Sequence, residues 1–314
     1  MAPLYLSVVD SHVHFWHPDR VNVPWVKNTP FDKRKDVNEY AEQVKNAGVK
    51  KMVYVETNVD PYHGLVEADW ICQYAKEIKS TSQFGGIGGI VSFAPIEQGE
   101  HMRGYLTTLM RITGSGKQGG LLKGVRCLLQ DPTLDPKRVL QTDFVIGIQC
   151  LESFNLSFDI CIDCRGSPQQ FPPIQELVVQ CPRVQFILDH MGKPPCDSQP
   201  GDSEFEFWRE QMTQLSKNQN VCCKISGLVN ELSGHDDDEL SVAQQLKPFI
   251  QVALETFGID RIMYGGDWPV CEIVSTSWQS WLQILCEIVK NWSEDDKEKL
   301  FVTNATRIYK LDCI

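Results

Sequence analysis

The chain has 314 residues, 42% of them hydrophobic, and a formal net charge of -11 from 30 basic and 41 acidic side chains. That balance excludes nucleic acid and anionic membrane as partners, because no basic block is available to neutralise phosphates. No apolar run reaches bilayer length, and the 12 cysteines are scattered rather than framed, as expected of free thiols in a reducing, cytoplasmic setting.

In chain order, Met1 to Leu6 carries no basic start or long apolar segment, so no signal peptide is expected. The run Leu4 to His14 reads as a strand, and alternation puts His12 and His14 on one face. A loop from Phe15 to Phe31 follows, rich in proline and carrying Trp16 and Trp25. Asp36 is placed to cap a helix with Val37, Tyr40, Ala41 and Val44 on its apolar face, stopped at Gly48. Further strand-length runs lie at 51–56, 85–93, 123–129, 158–164, 184–190, 221–226 and 261–267. Helical spacing fills the gaps at 65–78, 102–112, 137–153, 172–178, 205–215, 246–257 and 278–289, and a short tail runs from Glu294 to Tyr309. Gly114 to Gly120 matches no phosphate-binding glycine loop, and Cys161 and Cys164 form a lone C-x-x-C best read as incidental. The acidic run Asp236 to Glu239 reads as a solvated surface.

Eight strand runs, each followed by a helix pattern, predict a single-domain (β/α)8 TIM barrel over 1–314, with chemistry at the C-terminal ends of the strands. The charged and imidazole residues fall at those ends: His12 and His14 on strand one, Glu56 on two, Arg126 on four, Asp189 and His190 on six, Lys224 and Ser226 on seven, Asp267 on eight. Each has a plain structural alternative. Asp189 or Asp267 could cap the following helix, and Arg126 could simply pair with Glu56. Their convergence on one rim favours a site. His17, His63, His101 and His235 read as incidental.

Six segments carry a family resemblance: D-S-H-V-H-F-W at 10–16, K-G-V-R at 123–126, L-D-H-M-G-K-P at 188–194, K-I-S-G-L at 224–228, R-I-M-Y-G-G-D-W-P-V-C at 261–271 and N-A-T-R-I-Y at 304–309. In this order the chain resembles the amidohydrolase superfamily, in the branch of sugar-acid lactonases and pyrone-dicarboxylate lactonase. The resemblance implies that Asp267 takes a proton from the attacking water, that His190 stands near the substrate carbonyl, and that His12 and His14 are the strand-one pair. Arg126, Lys193, Trp16, Trp268 and Glu56 are the expected substrate-binding residues, with Trp16, Trp25 and Trp268 as an apolar floor under a lid formed by the Phe15–Phe31 loop. Strand five, F-D-I-C-I-D-C-R-G, lacks the histidine found there in most metal-dependent members. A binuclear centre is therefore not expected. Any metal would be one divalent ion such as zinc on His12, His14 and Asp267, and no obligatory metal is expected. The implied function is hydrolysis of a small-molecule lactone, an aldonolactone such as a fucono- or rhamnono-lactone. Asp267 as base would need its pKa raised by burial. The rivals are a metal-dependent decarboxylase of the same superfamily and a non-catalytic binding barrel.

Overall fold

A computed structural model describes residues 7–78, 84–115, 120–234, 238–274 and 276–312. Eight parallel strands stand in sequential order: β1 (Ser7–Val13), β2 (Gly48–Val55), β3 (Ile87–Phe93), β4 (Leu122–Arg126), β5 (Ser157–Ile160), β6 (Phe186–Leu188), β7 (Val221–Ile225) and β8 (Ile262–Tyr264). Around them pack α1 (Val37–Val44), α2 (Gly64–Glu77), α3 (Met102–Ile112), α4 (Thr142–Phe154), α5 (Phe171–Gln180), α6 (Ser203–Ser216), α7 (Glu239–Phe257) and α8 (Trp278–Ile288). This is a TIM barrel, as the alternating runs predict. Between the last and first strands, His12 C=O accepts from Asp267 N and Trp268 C=O from His14 N, both at 2.8 Å. The seam that closes the ring thus sets Asp267 directly beside the two strand-one histidines.

Asp10 holds that seam. Its Oδ1 accepts from Gly266 N (2.7 Å) and His12 N (3.1 Å), and its Oδ2 from Trp278 Nε1 (2.7 Å) and Tyr40 OH (2.9 Å). One buried carboxylate therefore ties β1 to the loop after β8 and to the helices α1 and α8.

The observed strands β5, β6 and β8 stop two to four residues short of the predicted runs. The residues beyond them leave the ladder: His190 and Asp267 both take left-handed backbone, at φ 52° and 55°, which no strand can continue. The stretch predicted as one helix at 137–153 is divided. Asp135 caps a 3₁₀ turn at Pro136–Leu140, and extended Gln141 separates it from α4. Helix α7 begins at Glu239, not Leu246. Asp238 accepts from Leu240 N as its cap, so part of the presumed surface run is a helix start, while His235, Asp236 and Asp237 lie outside the described residues. All eleven described cysteines are free.

Candidate active site

The tautomer of His14 follows from one contact. Its Nδ1 lies 2.8 Å from the Val55 carbonyl, which can only accept, so Nδ1 carries a proton and, in the neutral imidazole, Nε2 has the lone pair. That lone pair faces inward. His14 Nε2 lies 3.1 Å from His12 Nε2, and Asp267 Oδ1 lies 3.6 and 3.8 Å from the two nitrogens. Asp267 Oδ1 is buried and accepts no hydrogen bond. These three atoms have the spacing of ligands on one tetrahedral ion, which at zinc–ligand distances of ~2.0–2.1 Å sit about 3.3 Å apart. The set fits a single divalent cation, with the Val55 carbonyl orienting one ligand from behind.

His190 completes the cluster, its Nδ1 2.9 Å from Ser226 Oγ and its ring 4.6 Å from that of His12. Burial, aided by Lys193 and Arg126 and opposed by Asp267 and Asp189, pushes its pKa down to about 4, so it is neutral near pH 7. His12 is likewise held neutral by burial and by the neighbouring Lys224 ammonium. Asp267 departs from expectation. Burial does push its carboxyl up, but His190, His14 and His12 together hold it well below the usual carboxylate range. It is an ionised carboxylate rather than one raised toward neutrality. Gly227 (φ 66°) makes the close approach possible: a Cβ there would stand 2.8 Å from His190 Nδ1 and 3.0 Å from Asp267 Oδ2.

Beneath the imidazoles runs a buried chain of alternating charges. Arg126 Nε donates to Glu56 Oε1 (2.7 Å), its Nη2 to Glu56 C=O (2.6 Å) and its Nη1 to Asp189 Oδ2 (3.1 Å). Lys224 Nζ lies 2.9 Å from Asp189 Oδ1, 2.7 Å from Asp159 Oδ2 and 3.1 Å from His12 Nδ1, and Tyr309 OH donates to Asp159 Oδ2 at 2.8 Å. Although burial raises Asp189, the charges of Lys224 and Arg126, with a hydrogen bond from His12, hold it well below the usual range. Asp159 and Tyr309 were not singled out from sequence. A charge inside the apolar run F-D-I-C-I was the available signal for Asp159.

Above the cluster opens a cavity of about 460 Å³. His14, His190, Asp267, Arg126 and Lys193 line it together with Thr57, Asn58, Gln130, Asn230 and Glu231, and Trp25, Leu128, Val270 and Ile273 supply apolar wall. Three expected substrate-binding residues stand elsewhere. Glu56 is buried behind Arg126, where it pairs with the guanidinium and accepts from Asn58 N. Trp16 and Trp268 are both 0% exposed. Trp16 is drawn under its own loop because its indole N–H donates to the carbonyls of Phe31 and Lys33, and Trp268 Nε1 donates to Glu272. Of the three tryptophans only Trp25 faces the cavity, held by a hydrogen bond to Thr57 C=O (2.8 Å). His17 stays at the periphery beside Asp19. Sequence reasoning missed Glu231, Asn230 and Gln130, loop residues with no periodicity to mark them.

The sequence pattern of the amidohydrolase family matches residues 9–311. The chain belongs to that family. This amidohydrolase is 25% identical to an L-rhamnono-gamma-lactonase of Scheffersomyces stipitis, over 97% of its own length and 99% of the relative's. It is 22% identical to an L-fucono-1,5-lactonase of Burkholderia ambifaria, over 97% and 96%. An amidohydrolase crystal structure from Burkholderia multivorans with bound zinc shares the fold at TM-score 0.79 and 22% identity, covering 97% of this chain and 99% of that one. No described helix of this amidohydrolase is long and apolar enough to cross a membrane.

Proposed function

We propose that this amidohydrolase opens sugar-acid lactones, such as fucono- or rhamnono-lactones, by adding water to the ring carbonyl. The observation that carries the reading is the buried Asp267 carboxylate, ionised, with an oxygen that no hydrogen bond satisfies, at the floor of a cavity beside three imidazoles. Asp267 takes a proton from the attacking water. The reading assigns the Ser226 hydroxyl, 2.9 Å from His190 Nδ1, as the donor of that contact, which puts the His190 proton on Nε2, where it can donate to the carbonyl oxygen as negative charge develops there. Arg126, locked by Glu56 and Asp189, adds fixed N–H donors. His12, His14 and Asp267 would hold a single divalent cation, which when bound supplies further polarisation of the carbonyl. Hydrolysis keeps a measurable rate without it, because His190 and Arg126 remain.

The charge of the cavity supports a neutral substrate. Two buried carboxylates neutralise Arg126, and the carboxylates of Asp163 and Asp267 offset Lys193. Little surplus positive charge is left for the carboxylated aromatic acid a decarboxylase would take. Thr57, Asn58, Gln130 and Asn230 instead offer neutral hydrogen-bonding groups suited to ring hydroxyls. A panel of aldonolactones assayed with a pH indicator tests the reading: acid release above the spontaneous rate is expected for at least one hexono-lactone. Silence across the panel, with release of CO2 from an aromatic acid, would replace lactonase by decarboxylase.

A further inference from the structure

Breaking a lactone ring leaves the electron pair on an oxygen that becomes an aliphatic alkoxide, a poor leaving group unless it is protonated as the bond breaks. Asp267 is already assigned to receive the proton of the attacking water, so the donor must be another group. Among the described lining residues the cavity holds one other carboxyl group, Glu231. Glu231 is the last residue of the 3₁₀ turn Leu228–Glu231, which leaves β7 through Gly227, the glycine packed against His190 and Asp267. The segment is pinned on both sides: Asn230 Nδ2 donates to Val270 C=O (3.2 Å) and Ser233 N to Asp197 Oδ1 (2.9 Å). Glu231 itself is 7% exposed, and the nearest cationic atom paired with it, Arg165 Nη1, is 3.9 Å away on a partly exposed side chain.

We propose that Glu231 is the general acid that delivers a proton to the departing ring oxygen, while Asp267 serves as base in the same cavity. The assignment rests on the lactonase reading above and supplies the proton donor that reading lacks. In the balanced step, the water oxygen bonds to the carbonyl carbon and one water proton passes to Asp267. The carbon–ring-oxygen bond then breaks, and the ring oxygen keeps the electron pair and takes the proton of Glu231. The hydroxy acid leaves, and the proton on Asp267 returns to Glu231 through cavity water, so the enzyme is unchanged.

The surroundings of Glu231 suit the role. Burial, with Asp163 and Asp267 nearby, pushes its carboxyl up to about 7 against the pull of Lys193 and Arg165. Lys193 is a weaker candidate: burial would lower its pKa, but the carboxylates around it hold it above its ordinary value, so it binds oxygen better than it gives up a proton.

The test compares two leaving groups in wild type, Glu231→Gln and Asp267→Asn. With an aliphatic aldonolactone, Glu231→Gln should lower kcat by ~10²-fold or more, the scale of general-acid catalysis. With dihydrocoumarin, whose phenoxide leaves without help, the same variant should lose far less, while Asp267→Asn loses both reactions. Wild-type kcat on the aldonolactone should fall as pH rises through about 7, and that fall should vanish in Glu231→Gln. Equal losses on the two substrates, no loss on the aldonolactone, or a pH fall that persists in the variant would each overturn the assignment; the pH profile decides alone if dihydrocoumarin is not accepted. A wild-type enzyme that opens no lactone would instead overturn the function on which it stands.

Discussion

A single buried guanidinium shows how residue identity and site function are joined. Arg126 reaches the cavity, yet three of its N–H groups are already committed to Glu56 and Asp189. Its role is therefore that of a rigid donor, and its removal would leave Glu56 buried without its cationic partner and Asp189 with Lys224 alone. Arg126→Met should cost on the order of 3–5 kcal/mol in urea unfolding, the usual penalty for breaking one side of a buried pair. Adding Glu56→Gln should recover part of that stability without restoring turnover. Recovery of both would return Arg126 to a purely structural role. Position in the sequence placed Arg126 and Glu56 correctly at the ends of strands four and two. It could not say that Glu56 faces the arginine rather than the substrate, because that depends on a side-chain contact across 70 positions.

At the scale of elements, two carboxylates hold the strand ends that carry the site. Asp10 accepts four hydrogen bonds across the β1–β8 seam, so Asp10→Ala leaves four buried donors without an acceptor. A loss on the order of 3 kcal/mol or more in urea unfolding is expected. Glu67 of α2 accepts from Tyr54 OH, Thr57 N and Thr57 Oγ, tying the helix to the end of β2. Burial, with Glu56 nearby, raises its pKa to about 7 from 4.5. Between those values the folded protein holds a proton the unfolded chain has released, so stability falls as pH rises from about 4.5 to about 7. Glu67→Gln should flatten that decline in Tm measured from pH 5 to pH 8; an unchanged decline would place the titrating group elsewhere. Neither carboxylate was marked by pattern. Asp10 looked like part of the histidine motif, and Glu67 like an ordinary polar residue of an amphipathic helix.

For the whole molecule, alternation of strand and helix runs was enough to read the barrel, because a period of two and a period of 3.6 are written in every repeat. The rim residues followed, since a barrel offers one functional end. Legibility failed where tertiary contacts outrank pattern. Trp16 and Trp268 turned inward to satisfy their indole N–H groups. The strands ended early where left-handed backbone at His190 and Asp267 aims the side chains into the mouth. Asp267 is not raised by burial because three imidazoles outweigh it. The cation fit can be measured directly: zinc should bind at one ion per chain by elemental analysis, and His14→Ala should abolish that uptake. Chelation should lower lactone turnover without eliminating it, and complete loss that zinc restores would make the ion obligatory.

The central claim is that Asp267 performs the water activation. Purified Asp267→Asn, with wild-type far-UV circular dichroism, should hydrolyse the best aldonolactone at least ~10²-fold more slowly than wild type at pH 7.5, the lower range expected for loss of a general base. Turnover equal to wild type in that folded variant would contradict the account.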